Sequence, residues 1–347
     1  MDSAQPPDRT PLPFAELTPD TVLDTVEALG IDADGRLMAL NSYENRVFLV
    51  GLDDGSSVVA KFYRPGRWSD AQILEEHRFA LGLQAAEVPA VAPLALTPRH
   101  ADARVDSADG SSLATLGHSH GHRVAITPRR GGRAPELDDP EVLRWLGRFL
   151  ARLHQVGARG AFEHRPRLTP ASYGVAARNS LAQTDDALPL GARQRWLDAA
   201  DQALDHVQSA FDRVGAVPSV RLHGDMHPGN LLWTPEGPHF VDLDDACMGP
   251  PIQDLWMLLP GDVHERRPLM DALMDGYESM ADFDWATLSL IEPLRTLRML
   301  HHSAWLARRW ADPAFPAAFP WFGTETYWLQ QVELLRQQTE LMSEMPS

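Results

Sequence analysis

Between Arg221 and Asp245 the chain reads RLHGDMHPGNLLWTPEGPHFVDLDD, with polar groups set at the ends of apolar runs. Asp242 closes the run His239-Phe240-Val241, and Asn230 opens the run Leu231-Leu232-Trp233. If the two runs pair as a hairpin around TPEGP, an amide oxygen and a carboxylate meet at its open end. Two hard oxygen donors suit Mg²⁺, which takes few protein oxygens and keeps the rest of its shell for water and phosphate. They suit Zn²⁺ less, which prefers nitrogen and sulfur. Asp225 lies in the loop before Asn230. A loop carboxylate beside a metal–phosphate site can take the proton of an attacking hydroxyl. His223 and His227 flank it and are expected to shape the loop by hydrogen bonds. The rival chemistry is a two-metal hydrolase built on His223, Asp225, His227 and Asp242.

Lys61 weighs against the hydrolase. It sits inside the apolar run VVAKFYR, where burying an ammonium is costly unless it is paired. Its bland reading is an outward-facing strand residue. The helical stretch that follows offers Glu75 and Glu76. A strand lysine paired with a helix glutamate is how a kinase holds the α- and β-phosphates of ATP. Ahead of the lysine, LNSYENRV occupies the strand–turn–strand place of a phosphate loop without being glycine-rich; Asn41 and Ser42 are its donors.

These groups need elements to hold them. RLMALNSYENRVFLVGL and SSVVAKFYR read as strands around the turn DDGS, and VPAVAPLAL, SSLATLG and HRVAITP as further strands. TPDTVLDTVEALG reads as a helix capped by Thr18, and WSDAQILEEHRFALGLQAA as one capped by Ser69. After RRGGRAPELDD the character turns helical: DPEVLRWLGRFLARLHQVG carries an apolar stripe at Val142, Leu146, Phe149, Leu150 and Leu153. The expected fold class is α+β with two lobes. Residues 1–18 form an N-terminal arm, 19–128 an ATP-binding β-sheet lobe with one helix, and 129–347 a mainly helical lobe holding the small catalytic hairpin.

Composition sets the bounds. With 347 residues, 44% hydrophobic and 23% charged, the chain suffices for two lobes, each with a core. A net charge of −17 argues against nucleic acid or anionic membrane as partner. The single cysteine, Cys247, rules out an intrachain disulfide and a thiolate metal site. Neither a signal peptide nor a membrane-length apolar run is read, so a cytoplasmic monomer is expected.

Together, AK in a β-lobe, a glutamate helix, HGDMHPGN and VDLDDA resemble the aminoglycoside phosphotransferase and choline kinase group of protein-kinase-like enzymes. LNSYENRV, KFYRPGRWSDAQILEEH, RLHGDMHPGNLLW and FVDLDDACMGPPIQDLWMLL are similar to its bacterial stress-kinase branch over roughly residues 20 to 335. The resemblance implies an ATP- and Mg²⁺-dependent kinase acting on protein Ser/Thr hydroxyls, itself included. A small-molecule kinase for an aminoglycoside, choline or homoserine is the alternative. It implies Asp225 as catalytic base, Asn230 and Asp242 as magnesium ligands, and Asp242 also as the group aligning the γ-phosphate. Lys61 and Ser42 would contact phosphates, and Glu76 rather than Glu75 would pair with Lys61. Ile126 to Pro128 would be the adenine hinge, and Asp254 would brace the catalytic loop. Asp244 and Asp245 remain open between metal support and solvated loop carboxylates. A pseudokinase-like binding module would need a lost base or metal ligand, and none is lost. The alternating His118, His120 and His122 are read as a hairpin turn rather than a metal site.

Overall fold

The structure is a computed structural model that describes residues 13–107, 113–184, 187–259 and 263–344. Residues 1–12 of the expected N-terminal arm lie outside the described residues. The chain divides into two compact units. One comprises residues up to Asp70 with Pro93–Arg129, the other Ala71–Ala92 with Arg130 onward.

The first unit is a six-stranded antiparallel sheet and one helix. α1 (Pro19–Ala28) begins where Thr18 Oγ1 accepts the Thr21 N–H at 3.2 Å, with proline at its first position. Its face Val22, Val26 and Leu29 is buried. The strands are β1 (Ala33–Leu40), β2 (Arg46–Leu52), β3 (Ser57–Phe62), β4 (Arg104–Ser107), β5 (Ala114–Ser119) and β6 (His122–Pro128), in the order β1-β2-β3-β6-β5-β4. Along β3, Val58, Ala60 and Phe62 enter the core with Val22, Val26, Val124 and Ile126. The two-residue period therefore turns Lys61 to the other face of the sheet. At the tip of β5–β6, His120 and Gly121 take φ of 50° and 76°. Two successive left-handed residues make the tight hairpin turn that GHSHGH implied.

Two strand expectations need correction. VPAVAPLAL forms no strand; it contributes one isolated bridge, Ala90 to Phe240. Pro89 and Pro93 have no N–H to give a ladder. Conversely, β4 was missed because Arg104, Asp106 and Ser107 interrupt the apolar pattern.

The second unit is mainly helical. α2 (Asp70–Ala85), α3 (Pro140–Gly157), α4 (Ala176–Ala182) and α5 (Leu190–Val214) precede a short β region. This holds β7 (Val220–Leu222), the hairpin β8 (Leu231–Thr234) and β9 (Gly237–Phe240), and β10 (Cys247–Gly249), which pairs with β7. α6 (Ile252–Trp256), α7 (Val263–Glu278), α8 (Ile291–Arg309), α9 (Ala314–Ala318) and α10 (Glu325–Glu344) follow. α3 starts at the Asp139 cap, whose Oδ1 accepts the Glu141 N–H at 2.9 Å, and its expected apolar stripe is buried at Val142, Leu146, Leu150 and Leu153. It lies against α7 so closely that a Cβ on Gly147 would stand 2.1 Å from the Leu273 carbonyl oxygen. Trp196 of α5 and Trp328 of α10 pack edge to face with centroids 5.5 Å apart. From Phe79 onward α2 and the following segment are buried in this core through Ala80, Leu83, Val88 and Ala90. Among the described residues, no helix is long and apolar enough to cross a membrane.

Candidate active site

β7 delivers the chain into the loop His223–Asn230, and the loop is held from below. Asp254 on α6 is fully buried. Its carboxylate accepts the N–H groups of His223 and Gly224, both at 2.9 Å, and lies 3.2 Å from His154 Nε2. This is the bracing role expected of it. Gly224 cannot be replaced without disturbance: its φ is 84°, and a Cβ there would stand 2.2 Å from the Asp245 carbonyl oxygen. His223 Nε2 reaches the Val241 carbonyl at 2.9 Å, and His227 Nδ1 accepts the Gly229 N–H at 3.0 Å. Both histidines therefore shape the loop, as the simpler reading held.

Asp225 emerges from this frame with its carboxylate 22% exposed. Oδ1 lies 2.7 Å from Arg298 Nη1 on α8, and Oδ2 lies 3.5 Å from His227 Nε2. Burial pushes its pKa up. The His227 contact and the charges of Arg298, His227 and His223 outweigh burial and hold the carboxyl well below its usual value.

The hairpin forms as the residue pattern implied. Leu231 faces Phe240 in register, and the Val241 N–H donates to the Asn230 carbonyl at 3.1 Å. Asp242 is thus one residue beyond Asn230's partner, at the open end. It holds a left-handed φ of 59°, a conformation rare for a residue with a side chain and maintained by its surroundings. Asn230 is buried, and its Nδ2 donates to the Asp225 carbonyl at 2.9 Å. With the nitrogen committed, Oδ1 is the atom left to face a cation. An amide oxygen near a carboxylate is a donor set that fits Mg²⁺.

The loop after Asp242 is anchored by Arg165, itself buried. Its guanidinium donates to the carbonyls of Asp244, of Ala246 at 2.6 Å and of Gln72 at 3.1 Å. Glu75 closes the same cluster: its carboxylate accepts the N–H groups of Glu163, His164 and Arg165 at 2.6, 3.0 and 2.9 Å. Glu75 is therefore a structural clamp within the second unit. Glu76 belongs to the second unit and Lys61 to the first.

In the first unit, Lys61 faces Ala125 in register and lies 4.9 Å from the centroid of the Tyr63 ring. Ser42 stands in the loop joining β1 and β2. In place of glycines, that loop is braced by Arg64. Arg64's N–H donates to Asn45 Oδ1 at 3.1 Å, and its guanidinium to the Glu44 carbonyl at 3.0 Å. Of the hinge residues, Ile126 is buried and its carbonyl already accepts the Leu94 N–H at 2.7 Å. Pro128 pairs with Val58 and has no N–H to offer.

Reading the residues alone missed Arg298 and Arg295. The available signal was their spacing with His302, which places all three on one face of a helix. The three histidines of GHSHGH do not converge. His118 Nε2 lies 2.8 Å from Asp106, whereas His120 Nδ1 lies 2.9 Å from Ser119 Oγ.

A β-rich unit with a strand lysine, and a helical unit with a braced Asp loop and an Asn–Asp hairpin, define a protein-kinase-like phosphotransferase. Residues 37–291 match the phosphotransferase enzyme family, and the chain belongs to it. Membership implies ATP as phosphoryl donor. The chain is 43% identical over 333 residues to Stress response kinase A of Escherichia coli O157:H7, covering 96% of each chain. It is 44% identical over 335 residues to the serine/threonine protein kinase RdoA of Salmonella typhimurium, again covering 96% of each. Among solved structures, an amicoumacin kinase superposes with a TM-score of 0.68 at 17% identity, covering 94% of both chains. A microcompartment-associated aminopropanol kinase gives 0.64 at 17%, covering 93% of this chain and 95% of the other. These two likenesses carry the fold.

Proposed function

We propose that this phosphotransferase moves the γ-phosphoryl group of Mg²⁺-bound ATP to Ser or Thr hydroxyls of proteins, itself included, as part of a bacterial stress response. The observation that carries the reading is the Asp225 loop: Asp254 fixes its backbone, and the Asn230 amide ties the Asp225 carbonyl to the hairpin. The protein acceptor and the stress role rest on near full-length similarity to kinases bearing those names.

In the proposed reaction the acceptor oxygen attacks Pγ. The new O–P bond forms as the bond from Pγ to the β–γ bridging oxygen breaks, ADP leaves, and the hydroxyl proton passes to Asp225. Lys61 and Ser42 are assigned to the phosphates, Glu76 to orienting Lys61, and Asn230 and Asp242 to Mg²⁺. Bound there, the metal supplies charge neutralisation for the phosphates. Positioning and electrostatics account for most of the acceleration, because phosphoryl transfer asks little covalent chemistry of the protein.

The test is transfer of labelled γ-phosphate, with and without chelator, to the protein itself, to protein acceptors and to small alcohols. Asp225→Asn should keep ATP binding and lose transfer about 10²–10⁴-fold. Near-normal turnover in that variant would remove Asp225 as base. Label on small alcohols alone would replace the protein acceptor with a metabolite.

A further inference from the structure

Beside Asp225, in the second unit, lies a cleft of about 560 Å³ whose walls include Trp256, Arg295, Arg298, His302, Trp321 and Tyr327. Among the described residues, no carboxylate lines it. The carboxylates that pair with its arginines are both engaged. Glu292, buried, lies 3.1 Å from Arg266 and 3.0 Å from Arg295, and Asp225 pairs with Arg298. Arg295 stacks over the Trp256 ring at 4.8 Å, and its buried Nη2 makes no hydrogen bond with the described residues. A buried guanidinium N–H without an acceptor is costly, and a ligand oxygen would relieve it. Arg298 is 42% exposed and can reach a ligand in the cleft. In a chain of net charge −17, the wall of this cleft presents two arginines and, among the described residues, no carboxylate.

We infer that this cleft takes an anionic acceptor, a hydroxyl compound carrying a carboxylate or phosphate held by Arg295 and Arg298; on the protein-kinase reading above, this is a Ser or Thr flanked by Asp or Glu. Cationic acceptors such as choline or an amino sugar would meet arginine where they need a carboxylate.

The experiment compares kcat/KM for serine peptides of one length flanked by Asp/Glu, by Lys/Arg or by Gln, beside a small hydroxy acid and its amide. The full-length protein, Arg295→Gln, Arg298→Gln and Arg295→Lys are assayed. Acid-flanked serine should be preferred over base-flanked serine by about tenfold or more, equivalent to about 1.4 kcal/mol. Each Gln variant should cut that ratio several-fold, Arg295→Gln mainly through KM, while Arg295→Lys retains part of it. Preference for basic or uncharged peptides in the unaltered protein overturns the inference and leaves the kinase reading standing, whether or not a variant folds. An acid preference untouched by both Gln variants overturns the assignment to this cleft. Transfer to the hydroxy acid but not its amide, with no peptide labelled, supports an anionic acceptor and overturns the protein acceptor. No transfer to any hydroxyl sinks the kinase reading and this one together.

Discussion

Asp225 shows how one carboxylate's chemistry is set by its neighbours. Burial alone would raise its pKa; the His227 contact and the charges of Arg298, His227 and His223 reverse the sign. Because the folded pKa lies below the ordinary carboxylate value, the group adds stability above the unfolded pKa. That stability disappears as pH falls through the folded value. The same direction keeps the proposed base ionised well into acid, so the acid limb of kcat/KM in the unaltered protein should not be Asp225's own. In Arg298→Gln one cationic partner of Asp225 is gone and burial acts with less opposition, while the His227 contact remains. The Asp225 carboxyl, followed by its carbon NMR shift against pH, should then titrate about one pH unit or more higher than in the unaltered protein. A superimposable titration would show that the Arg298 pairing does not tune Asp225.

At the scale of elements, α2 carries two adjacent glutamates. Glu75 and Glu76 differ by one position, about 100° around a helix, so they point to different surroundings. Glu75 accepts three backbone N–H groups from Glu163 to Arg165, which fixes the segment carrying Arg165, and through Arg165 the loop after Asp242. Glu75→Ala leaves three backbone donors unmet, the Arg165 N–H among them buried, and should cost about 1–3 kcal/mol, seen as a clear fall in Tm. Glu76→Ala should alter use of ATP with a smaller change in Tm. Equal falls in Tm with unchanged ATP use would contradict this division. The pattern of residues resolved some elements and not others for reasons of range. The β8–β9 hairpin was readable because its apolar runs, Pro235 and Gly237 all act locally. α3 was readable from its cap and stripe. β7 and β10 are three residues each and exist through pairing across the whole catalytic region. VPAVAPLAL misled because β-branched and apolar residues mimic a strand that its prolines forbid. Asp225, Asn230, Asp242 and Asp254 stood out because their spacing is local. Arg298 did not, since its meaning lies in a partner more than seventy residues away.

At the scale of the whole molecule, packing does not follow the border that composition suggested. The expected border near residue 128 assigns α2 to the sheet-rich lobe, yet Phe79, Ala80, Leu83, Val88 and Ala90 are buried in the core of the helical unit. Phe79 packs edge to face on Phe162 at 5.6 Å, and Arg221 lies over its ring at 5.0 Å. Val91 completes the seam by donating its N–H to the Phe240 carbonyl of β9 at 2.9 Å. A fragment beginning at residue 129 therefore lacks side chains that its own core is shaped to receive. Each large buried apolar side chain removed from such a core costs about 2–5 kcal/mol, and several are lost together. Residues 129–347 expressed alone should bind a hydrophobic dye and melt without cooperativity, while co-expression with residues 1–128 should restore a soluble, cooperative complex. A cooperative, dye-silent fragment 129–347 would mean that α2 contributes little to this core. The β8–β9 hairpin would then owe its order to the helical segments alone.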